Sequence, residues 1–236
     1  MITAPTHNTV TSNNKPVISG SGDNGDSVSI YLDSALLASG TVSSGTWSYT
    51  PLSAIADGPH TLTAIATDSL GNTSPTSDEK SITIDTTPPV APSITSHVSS
   101  TINIPNPTIT GNAEANTTVK VYNNGVYFAT PTLSGTVWSF VPSPALSNGS
   151  TYVLTAKATD LAGNVSSASN TVTLEVNTNV PTTPIINAPS NNTITKNSKP
   201  IVSGTGDEGN TITVHINSLN FTTTVNSDGN WSLNLS

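Results

Sequence analysis

Two five-residue stretches carry the same chemistry at the same spacing: Asp68-Ser-Leu-Gly-Asn72 and Asp160-Leu-Ala-Gly-Asn164. A carboxylate, a Gly and an amide so close together suit two purposes. They can supply oxygens to a hard cation such as Ca²⁺, which takes six to eight from carboxylates, amides, carbonyls and water. Equally, Asp and Asn cap tight turns by bonding to their own backbone. The residues alone leave both readings open. Further acids stand in comparable short loops, Asp23 and Asp26, Glu114, and Asp207 with Glu208, while Asp85 opens the Pro-rich stretch Asp85-Thr-Thr-Pro-Pro-Val-Ala-Pro92.

Other constellations are poor. Among the four His (7, 60, 97 and 215) there is no HxH or HxxxH spacing, and without Cys there is neither a disulfide nor a thiolate metal site. No G-x-S-x-G elbow occurs, and the Asp207-Glu208 pair lies on a turn with no cleft to raise a pKa, so no enzyme is expected. The glycines are isolated and follow no βαβ pattern, which removes a phosphate cradle. With a net charge of −8, no Arg and six Lys, no basic stripe for nucleic acid or an anionic membrane can form. No apolar run is long enough to span a bilayer, and the first residues lack the pattern of a signal peptide.

The elements that must position the acids are strands. Ser, Thr and Asn make up 100 of the 236 residues, and only 33% are hydrophobic, so the chain folds only if its apolar side chains share one face. They do: Ser27–Asp33, Thr61–Thr67, Ser81–Asp85, Thr171–Val176 and Thr211–Ile216 alternate apolar and polar with period two. The pattern repeats. Pro16, Pro107 and Pro200 each open a P-x-[IV]-[ST]-G segment at separations of 91 and 93, and Trp47, Trp138 and Trp231 keep the same separations. This gives repeats over 1–88, 89–181 and 182–236, the third stopping after its Trp strand and therefore truncated.

About ninety residues, turns rich in Gly, Asn and Asp, and roughly seven short strands per repeat predict tandem immunoglobulin-like β-sandwiches, all-β throughout. Strands are expected at about 8–12, 16–20, 27–33, 36–42, 46–51, 60–67 and 79–85 in repeat 1, with the Trp filling the core between sheets. An odd number of alternating strands sends the chain in at one end and out at the other, so the repeats are expected end to end as a rod with Pro-stiffened linkers. The third repeat, lacking its last two strands, is expected to leave sheet edges uncovered.

The same parity says which acids can meet. Asp85 leaves repeat 1 and arrives at the leading end of repeat 2, so Asp85, Glu114, Asp160 and Asn164 are expected to converge at the first junction as a Ca²⁺ site. At the leading end of repeat 1 the corresponding set is Asp23, Asp26, Asp68 and Asn72. A weaker site is expected from Asp207 and Glu208 at the second junction, because Asn177 replaces Asp85 there.

The combination G-[T/V]-W, T-A-x-A-T-D-x-x-G-N (ending at Asn72 and Asn164) and T-I-D-T-x-x-P resembles the bacterial Ig-like repeats that build the stalks of giant secreted adhesins, among them type I-secreted RTX adhesins and biofilm-associated proteins. The resemblance implies a secreted or cell-surface extender segment serving adhesion and biofilm formation, with neighbouring repeats of the parent chain as its partners and Ca²⁺ rigidifying the junctions. The rival expectation is a glycan- or protein-binding accessory module of a secreted enzyme or surface protein, for which Tyr122, Tyr127 and Phe128 are the candidate aromatics.

Overall fold

The computed structural model describes residues 1–235, and among them every regular element is a strand. Repeat 1 holds β1 (Ile2–Ala4), β2 (Thr9–Thr11), β3 (Ile18–Ser21), β4 (Ser27–Leu32), β5 (Ala35–Thr41), β6 (Thr46–Tyr49), β7 (Gly58–Thr67) and β8 (Lys80–Ile84). One sheet runs β1-β3-β6 and the other β2-β8-β7-β4-β5. The eighth strand arises because the first one is divided. β1 pairs antiparallel with β3, Pro5 interrupts it for want of an N–H, and β2 continues in the opposite sheet, parallel to β8. First and last strands therefore point the same way, and the chain enters repeat 1 at one end and leaves at the other.

Repeat 2 repeats this plan with β9 (Ser93–Ile94), β10 (Ser100–Ile102), β11 (Ile109–Asn112), β12 (Thr118–Asn123), β13 (Val126–Ala129), β14 (Thr132–Ser134), β15 (Val137–Phe140), β16 (Thr151–Thr159) and β17 (Val172–Val176). Its sheets are β14-β15-β11-β9 and β10-β17-β16-β12-β13. Pro131 breaks what is one strand, β5, in repeat 1, and β14 crosses to the other sheet.

Met1–Asn177 forms one compact unit and the chain from Thr178 another. The second unit holds β18 (Ile185–Ala188), β19 (Ile201–Thr205), β20 (Thr211–Ile216), β21 (Leu219–Thr224) and β22 (Asn230–Asn234), in sheets β18-β19-β22 and β20-β21. It has no counterpart of β2 or β10 between β18 and β19 among the described residues. Its core is small: Val202, Ile212, Val214, Val225 and Trp231.

All three Trp are core residues, with relative exposures of 6%, 0% and 3% for Trp47, Trp138 and Trp231. Each stands directly opposite a Gly of the neighbouring strand, Gly20, Gly111 and Gly204. A Cβ on any of these would collide with the indole and with a backbone carbonyl, that of Met1, Ser93 or Ile185. The indole N–H then donates to a carbonyl of the same strand as the Gly: Ser21, Asn112 or Thr205, at 3.4, 3.2 and 3.1 Å. Overpacking a well-filled core costs about 1–3 kcal/mol, more where backbone must yield. Gly111→Ala is expected to lower the stability of Met1–Asn177 by about 3 kcal/mol in urea unfolding, and a loss below about 0.5 kcal/mol would contradict the fit described.

Candidate functional site

In repeat 2 the loop Asp160–Asn164 leaves the end of β16. Asp160 Oδ1 accepts the Asn164 N–H at 2.8 Å, Asp160 Oδ2 accepts the Asn164 Nδ2 hydrogen at 2.9 Å, and Gly163, at φ 94°, lets its N–H reach the Asp160 carbonyl at 3.3 Å. The following segment is held by hydroxyls. Ser166 and Ser169 each donate their N–H to β16 carbonyls, at Ala158 and Ala156, and accept the N–H of the same residue on Oγ at 2.9 Å. These serines replace ladder partners beyond the reach of β17, an economical use of a Ser-rich sequence. Repeat 1 builds the same loop from Asp68–Asn72, Ser74 and Ser77.

The repeat 2 loop also grips repeat 1. The Asn164 Nδ2 donates to the Asp85 carbonyl at 2.7 Å, and the Ala162 carbonyl accepts the Ser12 N–H at 3.0 Å. Between these contacts the linker is held from both sides. Asp57 on repeat 1 accepts the N–H and hydroxyl of Thr86 at 3.0 and 2.9 Å, and Glu114 Oε2 on repeat 2 accepts the Val90 N–H at 3.0 Å. Asp85 uses its carboxylate locally, accepting the Thr87 N–H at 3.1 Å.

Of the residues expected to converge, the structure thus brings Asp160, Asn164 and the Asp85 backbone together. Glu114 instead holds the linker. No group of three His, Cys, Asp or Glu side chains is placed for a metal among the described residues. The oxygens facing this point are the Asp160 carboxylate and the Asp85 carbonyl, toward both of which Asn164 turns its Nδ2, so they make less than half of a Ca²⁺ shell. At the leading end of repeat 1, Asp68 and Asn72 bond to each other at 2.7 Å, while Asp23 and Asp26 share the neighbouring turn, the Asp26 N–H reaching the Asp23 carbonyl at 3.2 Å. In repeat 3, Asp207 accepts the N–H and hydroxyl of Thr182 at 2.7 and 2.6 Å, the linker grip that Glu114 makes in repeat 2. Glu208 is exposed in the adjoining turn. Ser12, Asp57 and the Ala162 carbonyl were not legible from sequence, because Ser12 and Ala162 meet through backbone alone and Asp57 reads as an ordinary turn residue.

The carboxylates carry the electrostatic mark of these bonds. Partial burial pushes Asp160 up, but the side-chain amide and N–H of Asn164, with the Gly163 and Ala162 N–H groups, outweigh it and hold Asp160 below the ordinary 3.8. Asp68 is lowered first by the Asn72 amide. At the exit end of repeat 1, His60 Nδ1 lies 2.6 Å from Asp33 Oδ2 and its Nε2 2.8 Å from the Ala56 carbonyl. Burial lowers the imidazole, yet two acceptors on two ring nitrogens favour the doubly protonated form, and the net shift is upward from 6.5.

The sequence of the family described as "Bacterial Ig-like domain" matches twice, over residues 3–86 and 92–178, and the chain belongs to that family. No curated protein matches it. Among solved structures, the fibronectin(III)-like modules of Clostridium thermocellum CbhA align at 19% identity over 75% of this chain and 93% of that one, with a TM-score of 0.51. SGBP-B of the Bacteroides ovatus mixed-linkage glucan utilization locus, solved with a mixed-linkage heptasaccharide, aligns at 14% identity over 99% of this chain and 60% of that one, with a TM-score of 0.27. The former likeness is one of fold. Domains of the Bacterial Ig-like family are typically non-catalytic accessory modules. Bacterial Ig-like domains are usually extracellular, and no helix among the described residues is long and apolar enough to cross a membrane.

Asn164→Ala removes the bond between repeats and one side-chain bond within the loop, whereas Asn72→Ala removes only the equivalent loop bond, so Asn164→Ala is expected to cost more stability by about 1 kcal/mol in urea unfolding. Equal costs would mean that the contact with Asp85 contributes nothing. For His60, the folded pKa lies above the unfolded one, so its contribution is complete below about pH 6.5 and fades as pH rises through the folded value. Ring-proton NMR should show His60 titrating above 6.5, and a midpoint at or below it would contradict the doubly bonded imidazolium.

Proposed function

We propose that this chain is a structural extender segment of a large bacterial cell-surface adhesin, serving adhesion and biofilm formation by holding a distal binding region away from the cell. The observation that supports it is the grip between repeats 1 and 2: a loop, a linker and two carboxylates engage one another there. A spacer needs a defined angle between modules and a surface that sticks to little, and this polar, weakly charged chain suits both. Each repeat would add roughly 35–40 Å to such a spacer, from a rise of about 3.3 Å per strand residue plus end loops.

Ca²⁺ enters this reading as a further brace at the same junction. Its oxygens would come from the Asp160 carboxylate and the Asp85 carbonyl, with water completing the shell and the cation taking the place of the Asn164 Nδ2 hydrogens that these oxygens accept here. A site so thinly furnished belongs in the roughly millimolar range of extracellular modules. Titration with CaCl₂ is expected to raise the melting temperature slightly and to lose that effect in Asp160→Asn. An unchanged melting temperature at about 10 mM would leave the hydrogen bonds as the sole brace.

A second reading, recognition of glycan by repeat 2, has one observation in its favour. Tyr122 and Tyr127 stand opposite each other across β12 and β13 on the solvent face, and Tyr127 is 58% exposed. Phe128 is not part of that pair, since it packs inward against Phe140 and Tyr152 with ring centroids 6.0 and 6.1 Å away. Small-angle scattering combined with a glycan array separates the two. An elongated particle silent on the array supports the extender, whereas sugar binding lost in Tyr127→Ala would favour recognition.

A further inference from the structure

The leading face of repeat 1 carries both devices with which the leading face of repeat 2 holds its predecessor. The loop Asp68–Asn72 matches Asp160–Asn164 bond for bond. Asp68 Oδ1 accepts the N–H of Asn72 at 2.8 Å, Asp68 Oδ2 accepts the Asn72 Nδ2 hydrogen at 2.7 Å, and Gly71 at φ 89° corresponds to Gly163 at 94°. In repeat 2 the remaining amide hydrogen goes to Asp85 and the Ala162 carbonyl takes the Ser12 N–H. In repeat 1 no described residue takes up the second Asn72 hydrogen or donates to the Leu70 carbonyl. Asn72 and Leu70 are exposed, where Asn164 and Ala162 are half-buried.

The second device is the carboxylate that follows the small residue closing β3, β11 or β19. Glu114, after Ala113, accepts the N–H of Val90, and Asp207, after Gly206, accepts that of Thr182. Val90 and Thr182 each lie three residues before the first strand of their repeat, at Ser93 and Ile185. Asp23, after Gly22, occupies the same place in repeat 1. Two independent contacts of known partner chemistry are therefore repeated on one face.

The geometry points to the leading face of repeat 1 as a docking surface for the exit end of another repeat of this kind. The Asn72 amide donates to the backbone carbonyl at the position of Asp85, the Leu70 carbonyl accepts the N–H at the position of Ser12, and Asp23 takes a linker N–H. This deepens the extender reading by naming what that face binds, and it is tested apart from the particle's length.

The full chain, preceded by a second copy of residues 1–92, places the copied Pro92 before Met1 as Pro92 stands before Ser93. Amide exchange followed by NMR then compares the Ser12 N–H with its copy. Both are expected to exchange at least about tenfold more slowly than unstructured amides. The double substitution Asp23→Asn, Asn72→Ala is expected to return only the copied amide to the fast rate. Fast exchange of the copied amide beside a slow Ser12 overturns the docking surface and leaves the extender reading standing. Fast exchange of both removes the grip between repeats 1 and 2, and with it the support for both readings.

Discussion

One amide group organises the meeting of repeats 1 and 2. Both hydrogens of Asn164 Nδ2 are spent, one on Asp160 Oδ2 within its own loop and one on the Asp85 carbonyl of the preceding repeat. The first bond fixes the direction of the second, because Asp160 also pins the Asn164 backbone. An amide bonded only to Asp85 would have to give up side-chain entropy to hold that direction; here the loop has already done so. Each such bond contributes about 1 kcal/mol net, little in isolation. Its effect is one of geometry: it acts together with the Ser12, Thr86 and Val90 contacts, so that a change of angle between the repeats breaks several bonds at once.

That economy suits a chain with little apolar material. The cores rest on short sets of aliphatic side chains around one Trp per repeat, and the Trp fits because the residue opposite it has no side chain. Elsewhere hydroxyls and amides do what backbone does in a larger sheet. Ser74, Ser77, Ser166 and Ser169 pair with free ladder positions of β7 and β16, and Thr182 with Thr86 anchors the linkers. Among the described residues no buried side-chain polar atom lacks a partner, which is how a sequence rich in Ser, Thr and Asn avoids the cost of burying them.

Much of this was legible beforehand, for physical reasons that differ by element. Period-two alternation placed β4, β7, β8, β17 and β20, since one buried face dictates it. The recurring Trp marked the core between the sheets, while the Gly opposite it recurred only as part of the repeat pattern, since its pairing with the Trp is set by strand register. What escaped was set by single prolines: Pro5 divides the first strand and Pro131 divides the strand after β12, in places where the apolar pattern runs on regardless. At the junction, Asp160 and Asn164 were identified and their meeting with the Asp85 segment was expected. Their partners include backbone groups, which every residue carries and no spacing reveals.

Residual dipolar couplings measured on the intact chain test most directly whether the grip between repeats 1 and 2 sets their angle. A single alignment tensor is expected to fit the amides of both repeats, with Asn164→Ala splitting it into two. Separate tensors for the two repeats in the unaltered protein would contradict the account, whatever the stability of either repeat alone.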